Sequence, residues 1–263
     1  QYNNTIPGLS FNWTTTIGAV SSVGLFTAQT TAGARGFVNA TIGAVKGSAA
    51  VSTIPDQLAA IAVTPSSASV MAGATRSFSA AGYDQYANQI PGLSFNWSTN
   101  VGAMAGSTLT AQTASGATGY VGATIGVVTG YSLITVIPAA LDHIDMSPAS
   151  LAATAGKQYT VTATGRDQYN NAIPGLTFNW TTTVGSVTSA GLFTAQTASG
   201  ASGYVNATIG AVTGSAPVSV IPDQLTAISV TPSPVSVTAG TTQSFSASGY
   251  DQYNNQIPGL SFN

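Results

Sequence analysis

The phrase Ile-Pro-Gly-Leu occurs four times, beginning at Ile6, Ile90, Ile173 and Ile257, at spacings of 84, 83 and 84 residues. Self-similarity at a fixed period means that the same structural unit is laid down repeatedly, and a period of this length is that of a small domain. Longer phrases surround each copy, as in Asp167-Gln168-Tyr169-Asn170-Asn171-Ala172-Ile173-Pro174-Gly175-Leu176-Thr177-Phe178-Asn179-Trp180. Leu25-Phe26-Thr27-Ala28-Gln29 returns as Leu192-Phe193-Thr194-Ala195-Gln196. The second copy is one residue shorter there and reads Leu109-Thr110-Ala111-Gln112.

Within a period the apolar spacing is that of strands. Leu176, Phe178 and Trp180 alternate with Thr177 and Asn179, which puts the three large side chains on one face of an extended segment. A hairpin follows through Val184-Gly185 and Gly191-Leu192. Val205, Ala207 and Ile209 alternate with Asn206 and Thr208, and Pro217-Val218-Ser219-Val220 ends the unit. In the fourth copy Leu225–Val230 predicts a first strand, although its alternation slips by one place, and Val235 and Val237 begin a second. About seven short strands separated by turn residues predict an all-β unit, a two-layer sandwich.

The repeat phase places joints at Ile54-Pro55-Asp56, Ile137-Pro138-Ala139 and Ile221-Pro222-Asp223. Two whole domains are expected at 55–137 and 138–221. The back half of a domain precedes them (1–54) and the front half of another follows (222–263). Short joints containing Pro are expected to hold neighbours semi-rigidly, in a rod-like array. Residues 1–12 and 252–263 are the same phrase, differing only at Thr5 and Gln256. That phase is expected of a window from a longer chain. The alternative is a filament in which one subunit's end completes the next subunit's start, with that strand supplied twice.

These residues resemble the bacterial immunoglobulin-like repeats of invasin- and intimin-type adhesins, S-layer proteins and other giant surface proteins. The resemblance spans the chain. It rests on Ile228-Ser229-Val230-Thr231-Pro232, on Val237-Thr238-Ala239-Gly240, and on the turn from Asp251 to Asn255 leading into Pro258-Gly259-Leu260. Phe178 and Trp180 on a central strand, and the Gly-Leu-Phe-Thr-Ala hairpin, belong to it too. It implies tandem immunoglobulin-like β-sandwich domains serving as stalks or spacers. The family's turn is similar to Asp-x-x-Gly-Asn, whereas Asn170, Asn254 or Ala87 stands at the Gly here. Asn tolerates left-handed backbone and Ala does so poorly, so the turn at Ala87 is expected to differ.

Composition narrows the chemistry. Hydrophobic residues make up 44% of the chain and charged residues 5%, with a net charge of −2. Low hydrophobicity with high charge marks disorder, and this is the opposite. There is no Cys, so neither disulfides nor thiolate chemistry enter. Arg35, Lys46, Arg76, Lys157 and Arg166 form no basic run, which leaves nothing to hold nucleic acid. No apolar run approaches the roughly 18 residues of a membrane-spanning helix.

No catalytic residue, cofactor site or metal site is expected. His143, the only histidine, has Asp142 and Asp145 beside it, but the equivalent residues are Ala60 and Ala227, so it reads as a surface histidine near a joint. Asp84, Asp167 and Asp251 open the repeated turn, where a carboxylate caps nearby amides. Calcium would need six to eight oxygens. Asp56 and Asp223 stand at two joints but Ala139 at the third, so a structural role for the aspartates is favoured. Trp13, Trp97 and Trp180 read as core, and Tyr2, Tyr86, Tyr169 and Tyr253, in the turn, as exposed contacts or as packed against the neighbouring strand. Asn-x-Ser/Thr sequons occur at Asn3, Asn12, Asn39, Asn96, Asn179 and Asn206. Strand alternation turns Asn12, Asn39, Asn96, Asn179 and Asn206 outward, as glycan acceptors or simply as polar surface.

The expected role is mechanical and not enzymatic: spacer repeats of an extracellular, cell-surface stalk or filament. A surface so poor in charge predicts self-association with further copies. Two alternatives stand beside it. One is an adhesin module binding a host or neighbouring cell, with Tyr131, His143 and Tyr159 near the middle joint as its candidate patch. The other is a virion or phage appendage.

Overall fold

A computed structural model describes residues 4–261; Tyr2 and the sequon at Asn3 lie outside the described residues. Every regular element in it is a β-strand, and no helix is long and apolar enough to cross a membrane. The chain divides into two compact units, residues 1–137 and 138–263.

In the first unit, residues 58–136 form a complete sandwich. One layer orders the strands Asn96–Thr99, Thr118–Ile125, Val128–Ile137 and Ser67–Met71. The last pair is parallel, with Ile134 opposite Ala68 and Val136 opposite Val70. The facing layer has two parts. Ala60–Thr64 pairs with Ser79–Tyr83, and Thr108–Ala111 lies between Gly102–Ala105 and Thr75–Ser77. Val63, Val70, Phe78, Val101, Leu109, Val121, Ile134 and Val136 are buried between them. Each such side chain contributes about 1.5–3 kcal/mol by leaving water.

The second unit repeats this arrangement. Asn179–Thr182, Ser202–Ile209, Val212–Ile221 and Leu151–Thr154 form one layer. Leu141–Ser147 with Thr162–Asp167, and Gln158–Thr160, Leu192–Ala195 and Gly185–Val187, form the other. Val161, Val184, Phe193, Val205, Val218 and Val220 fill the space between. These are immunoglobulin-like β-sandwiches in tandem.

The two layers touch most closely at one glycine per complete repeat. A Cβ added at Gly130 would lie 2.2 Å from the Ile61 carbonyl oxygen, and one at Gly214 would lie 2.5 Å from that of Ile144. Only Gly lets the two backbones approach this closely.

Three details depart from the sequence reading, and one refines it. The strand expected to carry Leu176, Phe178 and Trp180 starts only at Asn179, because the turn at Pro174-Gly175 delivers Leu176 to the other layer, against Gly165. Leu109 locates the shortening of the second copy. It lies opposite Arg76 as Phe193 lies opposite Tyr159, so it takes the place of the phenylalanine, and the missing residue is upstream in the hairpin. Val235 and Val237 form no strand, because the strand that pairs there in complete repeats belongs to the back half of the same domain. Finally, Ala87 adopts φ 64°, matching 67° at Asn170 and 65° at Asn254. The turn at Ala87 therefore does not differ, and the fixed hydrogen bonds around it override the preference of Ala.

Candidate functional site

The repeated turn is organised by one carboxylate. Asp84 Oδ1 accepts from the amides of Tyr86 (2.9 Å) and Asn88 (2.8 Å). Its Oδ2 accepts from the amide of Asp56 (2.9 Å) and from Asn88 Nδ2 (2.8 Å). Asp167 has the same four donors, the amides of Tyr169, Asn171 and Ala139 and the Asn171 side chain. Asp251 takes Tyr253, Asn255, Asp223 and the Asn255 side chain. At the joint residue it is the backbone amide that binds. That is why Ala139 serves as well as Asp56 or Asp223.

All three aspartates are buried. Burial pushes each carboxyl up, but the donated hydrogen bonds, led by that of the Asn side chain, outweigh it and hold each near about 2, against an ordinary 3.8. An ionised carboxylate accepting several N–H bonds is stabilised in that form. With four donors in place, its lone pairs are occupied by the turn, which leaves it poorly suited to proton abstraction or to ligating a metal.

The turn also grips the preceding repeat. Asn88 Oδ1 accepts from the Ala32 amide at 2.9 Å, and its Nδ2 donates to the Thr30 carbonyl at 2.7 Å. In the second unit Asn255 does the same, accepting from the Ser199 amide at 2.9 Å and donating to the Thr197 carbonyl at 2.7 Å. Buried carboxylate, asparagine and upstream loop thus form one relay across the joint. The second unit adds two contacts. The Tyr253 hydroxyl lies over Gly156, and Lys157 Nζ meets Asp223 Oδ2 at 3.1 Å. That contact raises the Lys157 pKa and lowers that of Asp223, each mainly through the hydrogen bond between them.

The asparagine was missed by the sequence reading, which gave the turn to Asp alone. A signal was present. Asn4, Asn88, Asn171 and Asn255 end all four copies of the turn, while the residue before varies between Asn and Ala.

The other candidates are dispersed. His143 Nδ1 contacts Asp142 Oδ2 at 2.9 Å on an exposed strand surface, and Asp145 is held by Arg166. Tyr159 packs against the core of its sandwich, its hydroxyl accepting from the Thr154 amide. Tyr131, in contrast, is 57% exposed and stands edge-on to Tyr120 at 5.1 Å, with Leu133 68% exposed opposite Tyr120. The tryptophans pack edge-on to Phe11, Phe95 and Phe178. Among the sequons, Asn12, Asn96 and Asn179 are exposed and Asn206 is half-buried. Asn39 is only 8% exposed and accepts from Ser48 Oγ. It sits on a middle strand, walled by Thr14 and Ser48, so facing outward does not expose it.

No family model matches the chain, and no curated protein does. Solved structures do resemble it. The Escherichia coli adhesin FdeC is similar at 20% identity over 79% of each chain, with a TM-score of 0.52. Invasin, a bacterial integrin-binding protein, is 15% identical over 82% of this chain and 54% of its own, with a TM-score of 0.48. The surface layer protein SbsC, domains 1–6, is 19% identical over 97% and 40%, with a TM-score of 0.34. What the FdeC likeness shows is the fold: tandem immunoglobulin-like sandwiches.

Proposed function

We propose that this chain is a run of structural spacer repeats from an extracellular cell-surface protein, a stalk or a filament. The observation that carries this reading is the relay. The same buried carboxylate and the same asparagine clamp on the preceding repeat recur at the joints within both units. A connection rebuilt with identical chemistry fixes how one module follows the next, which is what a spacer requires. The likeness of fold to an adhesin supports placement at the surface. Asn12, Asn96 and Asn179 are the exposed acceptors if that surface is glycosylated. The test is labelling of source cells with an antibody raised against residues 55–221. Labelling of unpermeabilised cells is expected, and labelling only after permeabilisation overturns the proposal.

One observation favours a second reading, an adhesin module. Tyr131 and Leu133 stand exposed where the other copies carry Ser48 and Ala50, or Ser215 and Pro217. The full chain and its Tyr131→Ser/Leu133→Ala variant are to be compared for binding to host or neighbouring cells. Binding lost in the variant supports adhesion through this face, and equal absence of binding removes it.

A further inference from the structure

In the complete repeat 138–221 every charged residue belongs to one of the two layers. Asp142, His143 and Asp145 lie on Leu141–Ser147, and Arg166 and Asp167 on Thr162–Asp167. Lys157 precedes Gln158–Thr160, and its carbonyl accepts from the Ala195 amide of the same layer. The other layer, Asn179–Thr182, Ser202–Ile209, Val212–Ile221 and Leu151–Thr154, carries no charge at all. On its outward face is an open groove of about 530 Å³. Two rows of side chains cross three strands there: Ser150, Pro217 and Tyr204, then Ala152, Ser219 and Ser202. Tyr204, 51% exposed, forms one wall.

Pro217 is what opens the groove. In the preceding complete repeat its place is held by Leu133, whose amide donates to the Ser66 carbonyl at 3.0 Å. Proline has no amide to donate, so the corresponding Ala149 carbonyl lacks that bond to the edge strand. A proline ring also closes back on its own backbone. Leu133 instead rises from the sheet opposite Tyr120, with Tyr131 edge-on to the same ring. The tyrosine is thus crowded in one repeat and open in the other. Among the described residues, no side-chain hydrogen bond engages the hydroxyls of Ser150, Ser202, Ser219 or Tyr204.

We propose that this groove binds a neutral saccharide. A charged ligand would find no opposite charge on this layer to offset its loss of water. The rings of Tyr204 and Pro217 offer apolar surface to the C–H face of a pyranose. The serine hydroxyls and the Ala149 carbonyl supply donors and acceptors for its hydroxyl edge. The volume falls within the roughly 300–1,000 Å³ of small-molecule sites. Two outward residues on each of three strands span only roughly 10 Å each way, far short of the roughly 800 Å² per partner of a stable protein interface. A sugar fits this face and a second copy does not. The inference is independent of the spacer role and of the Tyr131 face.

The test is a titration of the full 263-residue chain, labelled with nitrogen-15, with cellobiose, maltose, lactose and chitobiose. Each is taken to about 10 mM, enough to fill most of a site of about 1 mM affinity. Saturable amide shifts at Ser150, Ala152, Ser202, Tyr204 and Ser219 are expected with at least one of the four. Tyr204→Phe keeps the ring and should bind as the parent does. Tyr204→Ser removes the wall, and Pro217→Leu fills the groove with the side chain that the preceding repeat already carries at Leu133. Each should keep a folded amide spectrum and bind about tenfold more weakly or worse. No shift with any of the four sugars overturns the proposal, as do shifts that survive both substitutions. Shifts at the same residues on concentrating the protein without sugar would assign the groove to a second copy, and overturn it too.

Discussion

Replacing Gly130 by Ala places a methyl group 2.2 Å from the Ile61 carbonyl oxygen. Ordinary contact begins near 3.4 Å, so more than 1 Å must open between two backbones, with no flexible side chain to absorb it. The strand that has to move is Ala60–Thr64, which buries Ile61 and Val63. If it peels away, about 1.5–3 kcal/mol is lost for each side chain, or about 3–6 kcal/mol together. Domains are stable by about 5–15 kcal/mol, so the repeat would be left marginal. At about 4–8 °C per kcal/mol, its unfolding should fall by at least about 12 °C. The assay is thermal and urea unfolding of the full chain, with hydrogen exchange locating the loss to residues 60–64. Gly214→Ala should act alike through Ile144. Gly47→Ala, where a Cβ would meet nothing within 4 Å, should leave stability unchanged. A Gly130→Ala chain within about 0.5 kcal/mol of the parent would refute the close approach of the layers.

Acid should loosen the turns. Asp84, Asp167 and Asp251 are held near about 2, below their unfolded value, so their stabilisation is complete above about pH 4. It is lost as pH falls toward about 2, and Asp84→Asn should flatten the urea midpoint across that window. Ser132→Ala should raise stability by about 1 kcal/mol in chemical unfolding, because among the described residues the buried Ser132 hydroxyl has no hydrogen-bond partner. The equivalent residues, Ala49 and Ala216, show that the site accepts a methyl group. Ala87→Asn should add about 1 kcal/mol by relieving left-handed backbone, and Asn170→Ala should remove a similar amount, both read as shifts in urea midpoint.

Much of the candidate site was visible as a turn but not as a clamp. Asp before a tight turn signals capping of local amides, and Asp84 does cap Tyr86 and Asn88. Its fourth partner and the reach of Asn88 to Thr30 involve residues some 28 and 58 positions away. Nothing local in the sequence carries such distances. The outward turn of Asn39 was legible from alternation, but its burial was not, because burial depends on which strands flank its own.

The repeat period, the two-residue alternation and the turn residues were enough to specify strands and sandwich, since both follow from which side chains avoid water at short range. The pairing of a front strand with the far end of the same domain was decided only in three dimensions. So were the glycine seats and the relay across the joint within each unit. Each depends on segments distant in the chain meeting at a single place, and contact of that kind has no period to read.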